Sequence, residues 1–247
     1  MSASDSRFMA LALSLGRRGQ GQCWPNPAVG CVILQGDRIV GRGWTQPGGR
    51  PHAEPMALAQ AGALAKGATA YVTLEPCSHY GETAPCSQAL IDAGVARVVA
   101  AIEDSDPRVS GQGFEKLRMA GIQVKTGVLA EQAAHDHAGF FLKTEQGRPL
   151  VTLKLASSFD GRIATGTGHS QWITGPAARR AVHAMRARHD AVMVGAGTAR
   201  ADDPSLTVRD LGIGQQPVRV VISRHLDLPL LSQLARTAKD VPLWLCH

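Results

Sequence analysis

Aromatic residues are scarce in this 247-residue chain, with two Tyr, five Phe and four Trp making up 4% of it. So thin a supply leaves little from which to build a base-stacking platform. No run of five or six Lys/Arg compensates for it, which argues against a single-strand nucleic-acid binder. Long hydrophobic runs are also missing. The N-terminal MSASDSRFMALALSLGRRGQ has an apolar stretch of only about eight residues, preceded by Asp5 and lacking a leading basic cluster, so it reads as an amphipathic first helix rather than a leader or membrane span. Cysteines number five. An odd count in a composition of cytosolic type argues against a disulfide framework and leaves thiols for metal binding or burial, and the expected compartment is the reducing cytoplasm. There is no internal repeat and no low-complexity stretch.

What is present is ordinary globular material, 44% hydrophobic and 19% charged, with no sign of disorder. The formal charge of +6 bears on association rather than on fold. With stacking residues so few, a small anionic substrate is the better match to that charge than nucleic acid. The length exceeds the usual size of one domain, and two are expected.

Phe8, Leu11, Ala12 and Leu15 recur at helical spacing between Arg7 and Arg17. The β-rich runs 28–34 (AVGCVIL) and 38–44 (RIVGRGW), joined by Gln35-Gly36-Asp37, predict an antiparallel hairpin. Strand-like runs at 70–74, 97–101 and 123–125 then alternate with helix-like segments at 53–64, 86–93 and 113–120, which implies a mixed sheet covered by helices on both faces. A closing helix is expected over 131–142, followed by a polar linker at Thr144-Glu145-Gln146-Gly147-Arg148-Pro149. The domains are therefore expected at 1–145 and 146–247. In the second, strands are expected at 150–157 (LVTLKLAS), 191–194, 218–222 and 241–245, with a helix over 176–188 opened by Pro176.

The chemistry concentrates in His52-Ala-Glu54 and the later Pro76-Cys77, with Cys86 following after eight intervening residues. One imidazole and two thiolates hold zinc tetrahedrally and leave the fourth position for water, the arrangement of a catalytic rather than a closed structural site. Zinc-bound water has its pKa drawn down towards about 7, and a carboxylate that is not itself a ligand moves protons to the leaving ammonia. Glu54, two residues after His52 at the start of a helix, has that role. Cys86 also starts a predicted helix, where thiolate is favoured. Any one of these residues alone could be an ordinary core residue, since free Cys is commonly buried. It is the set that points to metal. Cys23, Cys31 and Cys246 read as core or surface thiols.

The deaminase signature H-x-E with a later P-C-x-x-C has two residues between its cysteines, whereas this chain has eight. With that spacing, and with Pro25-Asn26-Pro27-Ala28-Val29-Gly30-Cys31, Gly49-Arg50-Pro51-His52-Ala53-Glu54 and Tyr71-Val72-Thr73-Leu74-Glu75-Pro76-Cys77-Ser78-His79-Tyr80-Gly81, the chain resembles the bifunctional deaminase/reductases of riboflavin biosynthesis. The second half continues the match in Leu153 to Arg162, Ser170 to Thr174 and Ala201 to Arg209. The resemblance implies a cytidine-deaminase-like three-layer α/β/α domain followed by a partial dihydrofolate-reductase-like α/β domain. It implies zinc-dependent removal of an amino group from 2,5-diamino-6-ribosylamino-4-pyrimidinone 5′-phosphate, and NADPH-dependent reduction of the ribosyl group to ribityl. It maps Asn26, His79 and Asp104 onto the deaminase substrate site. In the second half it maps Ala156, Trp172, Thr198 and Asp202 onto the NADP site, and Lys154, Ser170, Arg186, Leu206 and Arg209 onto the reductase substrate site, with Thr174 beside them. Gly195-Ala196-Gly197-Thr198 after the AVMV strand could let backbone amides approach a phosphate, although it lacks the third glycine of the dinucleotide fingerprint. The partner is expected to be a small phosphorylated pyrimidine, with no nucleic acid, no membrane and a homo-oligomeric assembly.

Two rivals stand beside this reading. One is a deaminase of another nucleobase or of a tRNA adenosine, carrying a C-terminal interaction domain, and the cysteine spacing opposes it. The other is a catalytically dead zinc scaffold, which the intact Glu54 opposes. The second half stops where relatives continue, so it is expected to be incomplete and the chain to deaminate without reducing the sugar.

The family pattern also breaks in two places: relatives carry a basic residue where this chain has Glu82 and a His where it has Thr45. An acidic side chain beside a phosphate repels it, so either Glu82 points away or another residue, such as Arg42, Arg50 or Arg108, neutralises the anion. If the Glu82 loop faces the phosphate, Glu82→Lys should lower KM for the phosphorylated substrate by an ion pair worth from a few tenths to about 1 kcal/mol. An unchanged KM would show that the loop points elsewhere.

Overall fold

The computed structural model describes residues 3–81, 84–106 and 109–247. They fall into two units, Met1–Leu150 and Val151–His247. The first is built on a five-stranded sheet of β1 (Gly30–Gln35), β2 (Arg38–Trp44), β3 (Thr69–Val72), β4 (Arg97–Ala100) and β5 (Gln123–Lys125), in the order β2-β1-β3-β4-β5. Strand β1 pairs antiparallel with both β2 and β3, while β3, β4 and β5 run parallel. Gln35 pairs with Arg38, which leaves Gly36-Asp37 as a two-residue hairpin turn with Gly36 at φ +58°, a value that suits glycine.

Alternation along the strands sorts the core into two layers. Cys31, Ile33, Ala70, Val72, Val98 and Ala100 pack with α2 (Ala53–Ala61), α3 (Cys86–Asp92) and α4 (Gln112–Met119) through Ala57, Leu90, Phe114 and Leu117. Val32, Leu34, Tyr71, Val99 and Ala101 pack on the other side with α1 (Ala3–Gly16) and α5 (Ala130–Asp136) through Met9, Leu13 and Ala133. The expected mixed sheet with helices on both faces is what forms. A buried ion network ties α1 to three strands. Arg97 and Lys125 donate to the Asp5 carboxylate at 3.0 and 2.6 Å, and the Tyr71 hydroxyl donates to it at 2.9 Å. The Arg97 hydrogen bonds hold Asp5 far below the ordinary carboxylate range against the opposing effect of burial, with Lys125 and Tyr71 adding to them.

Several expected boundaries move. The first helix begins at Ala3 rather than Arg7. The segment 53–64 is α-helix only to Ala61 and tightens into a 3₁₀ turn at Gly62–Ala65. The closing helix over 131–142 is two helices, α5 and α6 (Ala138–Gln146), meeting at His137. Thr144 to Gln146, read as linker, complete α6, which ends at Gly147 with φ +64°.

The second unit has a parallel three-stranded sheet, β6-β7-β8, from β6 (Ala191–Gly195), β7 (Val218–Ile222) and β8 (Leu243–Cys246). Helix α7 (Pro176–Ala187) starts with Pro176 as expected, and α8 (Ala196–Asp202) and α9 (Gln233–Arg236) were not anticipated. Ala199, Leu206, Val221 and Leu234 form its core. Arg219 is fully buried and donates to the backbone oxygens of Ser205, Thr237 and Val241 and to the Thr237 hydroxyl. The strand expected at 150–157 is not formed. Its alternation is genuine, but a strand needs a hydrogen-bonding neighbour, neither sheet pairs with it, and Val151, Leu153 and Leu155 stand exposed. Among the described residues no helix is long and apolar enough to cross a membrane.

His137, where α5 meets α6, is 2% exposed, and burial pushes its pKa down to about 4. The unfolded imidazole titrates near 6.5, so between these values the unfolded chain binds more protons and stability falls as pH falls. Between pH 7 and pH 4.5 this one group should remove about 2–3 kcal/mol of unfolding free energy. Denaturant titrations of the wild type and His137→Gln at the two pH values should differ by that amount. Equal losses would show that His137 does not titrate in this way.

Candidate metal centre

His52 occupies the N-cap position of α2 without a side-chain cap, and Glu54 lies in that helix's first turn. What seats them is a close approach of α2 to β2. A Cβ at Gly43 would lie 2.1 Å from the Ala53 carbonyl oxygen, and one at Gly41 would lie 2.2 Å from that of Ala57, so the helix backbone rests directly on the strand. The turn before His52 is held by Asn26, whose amide donates to the Gly49 carbonyl at 2.9 Å. Cys77 lies on the connection from β3 to α3, and its carbonyl accepts from the Ser87 backbone N–H at 3.1 Å and from the Ser87 hydroxyl at 3.0 Å. Cys86 is the first residue of α3, and its backbone N–H donates to the Cys77 sulfur at 3.3 Å.

The ligand atoms of His52, Cys77 and Cys86 all lie within 4.8 Å of one another. His52 Nδ1 is 3.4 Å from Cys86 Sγ and 3.9 Å from Cys77 Sγ. A tetrahedral ion with Zn–N and Zn–S bonds of about 2.0–2.3 Å needs edges of about 3.6 Å, so one imidazole and two sulfurs at these separations fit zinc. Cys77 is drawn down to about 4, chiefly by the hydrogen bond from the Cys86 thiol, which is itself pushed up by that bond and by burial. Proximity to Cys77 raises His52 against the effect of burial, and the Arg50 charge opposes the rise. Glu54 is 3% exposed, and burial, reinforced by Cys77, pushes its carboxyl up to about 7. That is a suitable value for a group that must both take and give a proton.

Two family models match the chain: the cytidine and deoxycytidylate deaminase zinc-binding region over residues 2–102, and the RibD C-terminal domain over residues 149–245. The riboflavin biosynthesis protein RibD of Aquifex aeolicus is 48% identical over 94% of this chain, and that of Escherichia coli is 46% identical over 97% of it. The chain spans 65% and 71% of their respective lengths. A crystal structure from Thermotoga maritima, titled a diaminohydroxyphosphoribosylaminopyrimidine deaminase/5-amino-6-(5-phosphoribosylamino)uracil reductase, is 40% identical. It has a TM-score of 0.89 over 98% of this chain and 69% of its own.

The chain belongs to the RibD family. Of the RibD substrate residues expected in the first unit, Asp104 is buried near Cys77, whose charge adds to the burial that lifts the Asp104 carboxyl to about 6. His79 is exposed on the loop after Cys77. Thr45 is 1% exposed, its hydroxyl accepting from the Val29 N–H at 3.0 Å, so it serves the sheet. Glu82 and Arg108 lie outside the described residues. Arg50 is half-buried, with its Nη2 3.3 Å from where a Cβ on Gly81 would sit, whereas Arg42 is exposed on β2. The sequence reading missed Glu75, which turns out to be a buried carboxylate holding four backbone N–H groups. The available signal was an acidic residue ending the apolar run Tyr71-Val72-Thr73-Leu74.

In the second unit Arg186 and Arg209 come together. Burial and the Arg209 charge depress Arg186, which donates to the Thr207 carbonyl at 3.0 Å, while Arg209 donates to the Ser205 hydroxyl. His183 accepts from the Arg209 backbone N–H at 3.2 Å. Leu206 points into the core. Trp172 is exposed, with the Arg179 guanidinium 4.5 Å from its ring centroid. Thr198 and Asp202 are exposed on α8, and Thr174 accepts through its carbonyl from Arg179. Lys154, Ala156 and Ser170 lie outside regular structure, and among the described residues no hydrogen bond joins them to the Arg186–Arg209 pair. A hollow of 540 Å³ lined by Ser158, Asp160, Arg162, Thr165, His169 and Ile173 opens nearby in sequence, next to Ser170 and Trp172.

The purified chain should carry about one zinc. Cys86→Ser should bring metal analysis close to zero, and full retention of zinc would show that the ligand set is different.

Proposed function

We propose that this chain removes an amino group hydrolytically from 2,5-diamino-6-ribosylamino-4-pyrimidinone 5′-phosphate in riboflavin biosynthesis. His52, Cys77 and Cys86 hold zinc within a domain at 1–145. The observation that carries the reading is the cluster of one imidazole and two sulfurs within 4.8 Å beside a buried Glu54. Zinc, when bound, supplies Lewis-acid activation of water. Glu54 accepts a proton from the attacking water and passes it to the ring nitrogen, then carries the second water proton to the amino nitrogen as the C–N bond breaks, so that the nitrogen leaves as ammonia and the ring carbon becomes a carbonyl beside a ring N–H. Asn26, with one amide N–H committed to Gly49, keeps its oxygen and second N–H for the pyrimidine edge. His79 and Asp104 complete the substrate contacts, and Arg50 supplies the positive charge towards the phosphate.

In this reading the region 146–247 corresponds to the family's reductase domain, the one associated with NADPH-dependent reduction of the ribosyl group. By the family likeness Ala156, Trp172, Thr198 and Asp202 would hold the nicotinamide cofactor, and Lys154, Ser170, Arg186, Leu206 and Arg209 would line the place of the sugar phosphate. The paired guanidinium groups of Arg186 and Arg209 support an anionic ligand there. A cytoplasmic location, a homo-oligomeric assembly and no nucleic-acid partner belong to the same reading.

Ammonia release should be measured on the pyrimidine phosphate against cytidine and guanine. Preference for either of the latter would overturn the substrate assignment. Glu54→Gln should keep its zinc yet lose at least about a hundredfold in rate, the lower range for a general acid/base group. A loss below about tenfold would mean that another group carries the proton.

A further inference from the structure

Glu75 is 3% exposed and sits where β3 gives way to the Cys77 connection. A carboxylate taken this far from water needs full hydrogen bonding to remain acceptable. Its oxygens find it in one stretch of chain. Oε2 accepts from the N–H groups of Asp104 at 3.3 Å and Gly111 at 2.9 Å, and Oε1 from those of Gly113 at 2.8 Å and Phe114 at 3.2 Å. The backbone is fitted to the same contact, since a Cβ at Gly113 would lie 2.1 Å from the Pro76 carbonyl oxygen. The Glu75 N–H in turn donates to the Ile102 carbonyl at 3.0 Å, continuing the pairing of the parallel strands β3 and β4 past their carboxyl ends. Those ends are where open α/β sheets build their sites. One of the two connections carries Cys77 and the other carries Asp104, whose own carboxylate folds back onto the Asp106 N–H at 2.9 Å.

We infer that Glu75 is a positioning residue for deamination, its carboxylate locking the Asp104 segment to the Cys77 connection so that Asp104 meets the substrate at a fixed place beside the metal. The inference rests on the deaminase reading above. Among the described residues no hydrogen bond joins Glu75 to the side chain of His52, Cys77 or Cys86, so its effect passes through Asp104. Glu75→Gln keeps the shape but turns one acceptor oxygen into an NH₂ group that faces backbone N–H donors, which releases one of the two pairs of bonds.

The test uses the full chain loaded with zinc. Glu75→Gln should retain about one zinc and raise KM for the pyrimidine phosphate about tenfold, with a smaller change in kcat. Asp104→Ala should also raise KM. In the double variant the two effects should fail to add, with Glu75→Gln costing no more than about twofold once Asp104 is gone. Additive effects, an unchanged KM, or loss of zinc in Glu75→Gln would each overturn the inference. Should Glu75→Gln not fold, Glu75→Asp keeps the charge on a shorter stem and should raise KM by an intermediate factor; an unchanged KM there would also overturn it. Amide hydrogen exchange separates this inference from the deaminase reading. Whether or not the chain turns over the pyrimidine, Glu75→Gln should accelerate exchange at Asp104, Gly111, Gly113 and Phe114 about tenfold or more relative to the β-sheet. Unchanged exchange at those four amides would sink the clamp itself. A chain inert towards the pyrimidine but with accelerated exchange at those amides would overturn the deaminase reading, and with it the role of Glu75 in deamination, while leaving the clamp in place.

Discussion

Everything at the candidate metal centre depends on how closely α2 lies against β2. Gly41 and Gly43 present no side chain to the helix, so Ala53 and Ala57 rest their carbonyls on the strand itself. That contact fixes the height of the helix above the sheet and leaves its first turn buried. A Cβ at either glycine would have to push backbone against backbone, which no rotamer change can relieve. His52 and Glu54 follow from that placement: one ends the turn before the helix and the other is carried into the interior. A carboxylate this deep is held in its protonated form to near neutral pH, and the Cys77 charge beside it adds to the same effect while the His52 charge and the Cys86 hydrogen bond oppose it. The packing of a helix on a strand thereby sets the proton affinity of the group proposed to move the proton.

The opposite wall of the site is built by a different device. Cys77 and Cys86 are joined by the Cys86 N–H and by Ser87, which bonds twice to the Cys77 carbonyl, so the connection between them is pinned at both ends without a disulfide. Glu75 then ties the root of that connection to the segment leaving β4. Two carboxyl groups, Glu54 and Glu75, are thus buried within one small domain and meet opposite circumstances. Glu75 is satisfied by four backbone donors and is structural in chemistry, whereas Glu54 sits against sulfur and imidazole, where its proton affinity can be used.

Much of the first unit was legible in the sequence because its signals are local and repeated. The runs 31–34, 70–72 and 98–101 are apolar throughout, as strands covered on both faces are, and their residues divide between the two layers with the period of two that a strand imposes. The His-x-Glu and the two cysteines were legible as chemistry because few other demands place those residue types together. Glu75 was not, since an acidic residue at a strand end has no local pattern that reveals four donors arriving from 29 to 39 residues further along. Nor does the sequence around Thr45 reveal that its buried hydroxyl is engaged by the Val29 N–H. The break at His137 was also hidden, because helical periodicity runs through it.

In the second unit the local signals are weaker for a physical reason. The run 150–157 has the composition and alternation of a strand, but alternation states only which face a residue would take if a neighbour were present, and pairing is a non-local fact. The Arg186–Arg209 pair illustrates the same limit for function. Each arginine alone is unremarkable on a helix or loop, and only the fold brings the two guanidinium groups near enough for the charge of one to disfavour the charge of the other. Thr207 and Ser205 offer neutral oxygens to them, which orient the groups without cancelling their charge. Such a pair is costly to hold together and is better matched by an anionic ligand than by solvent.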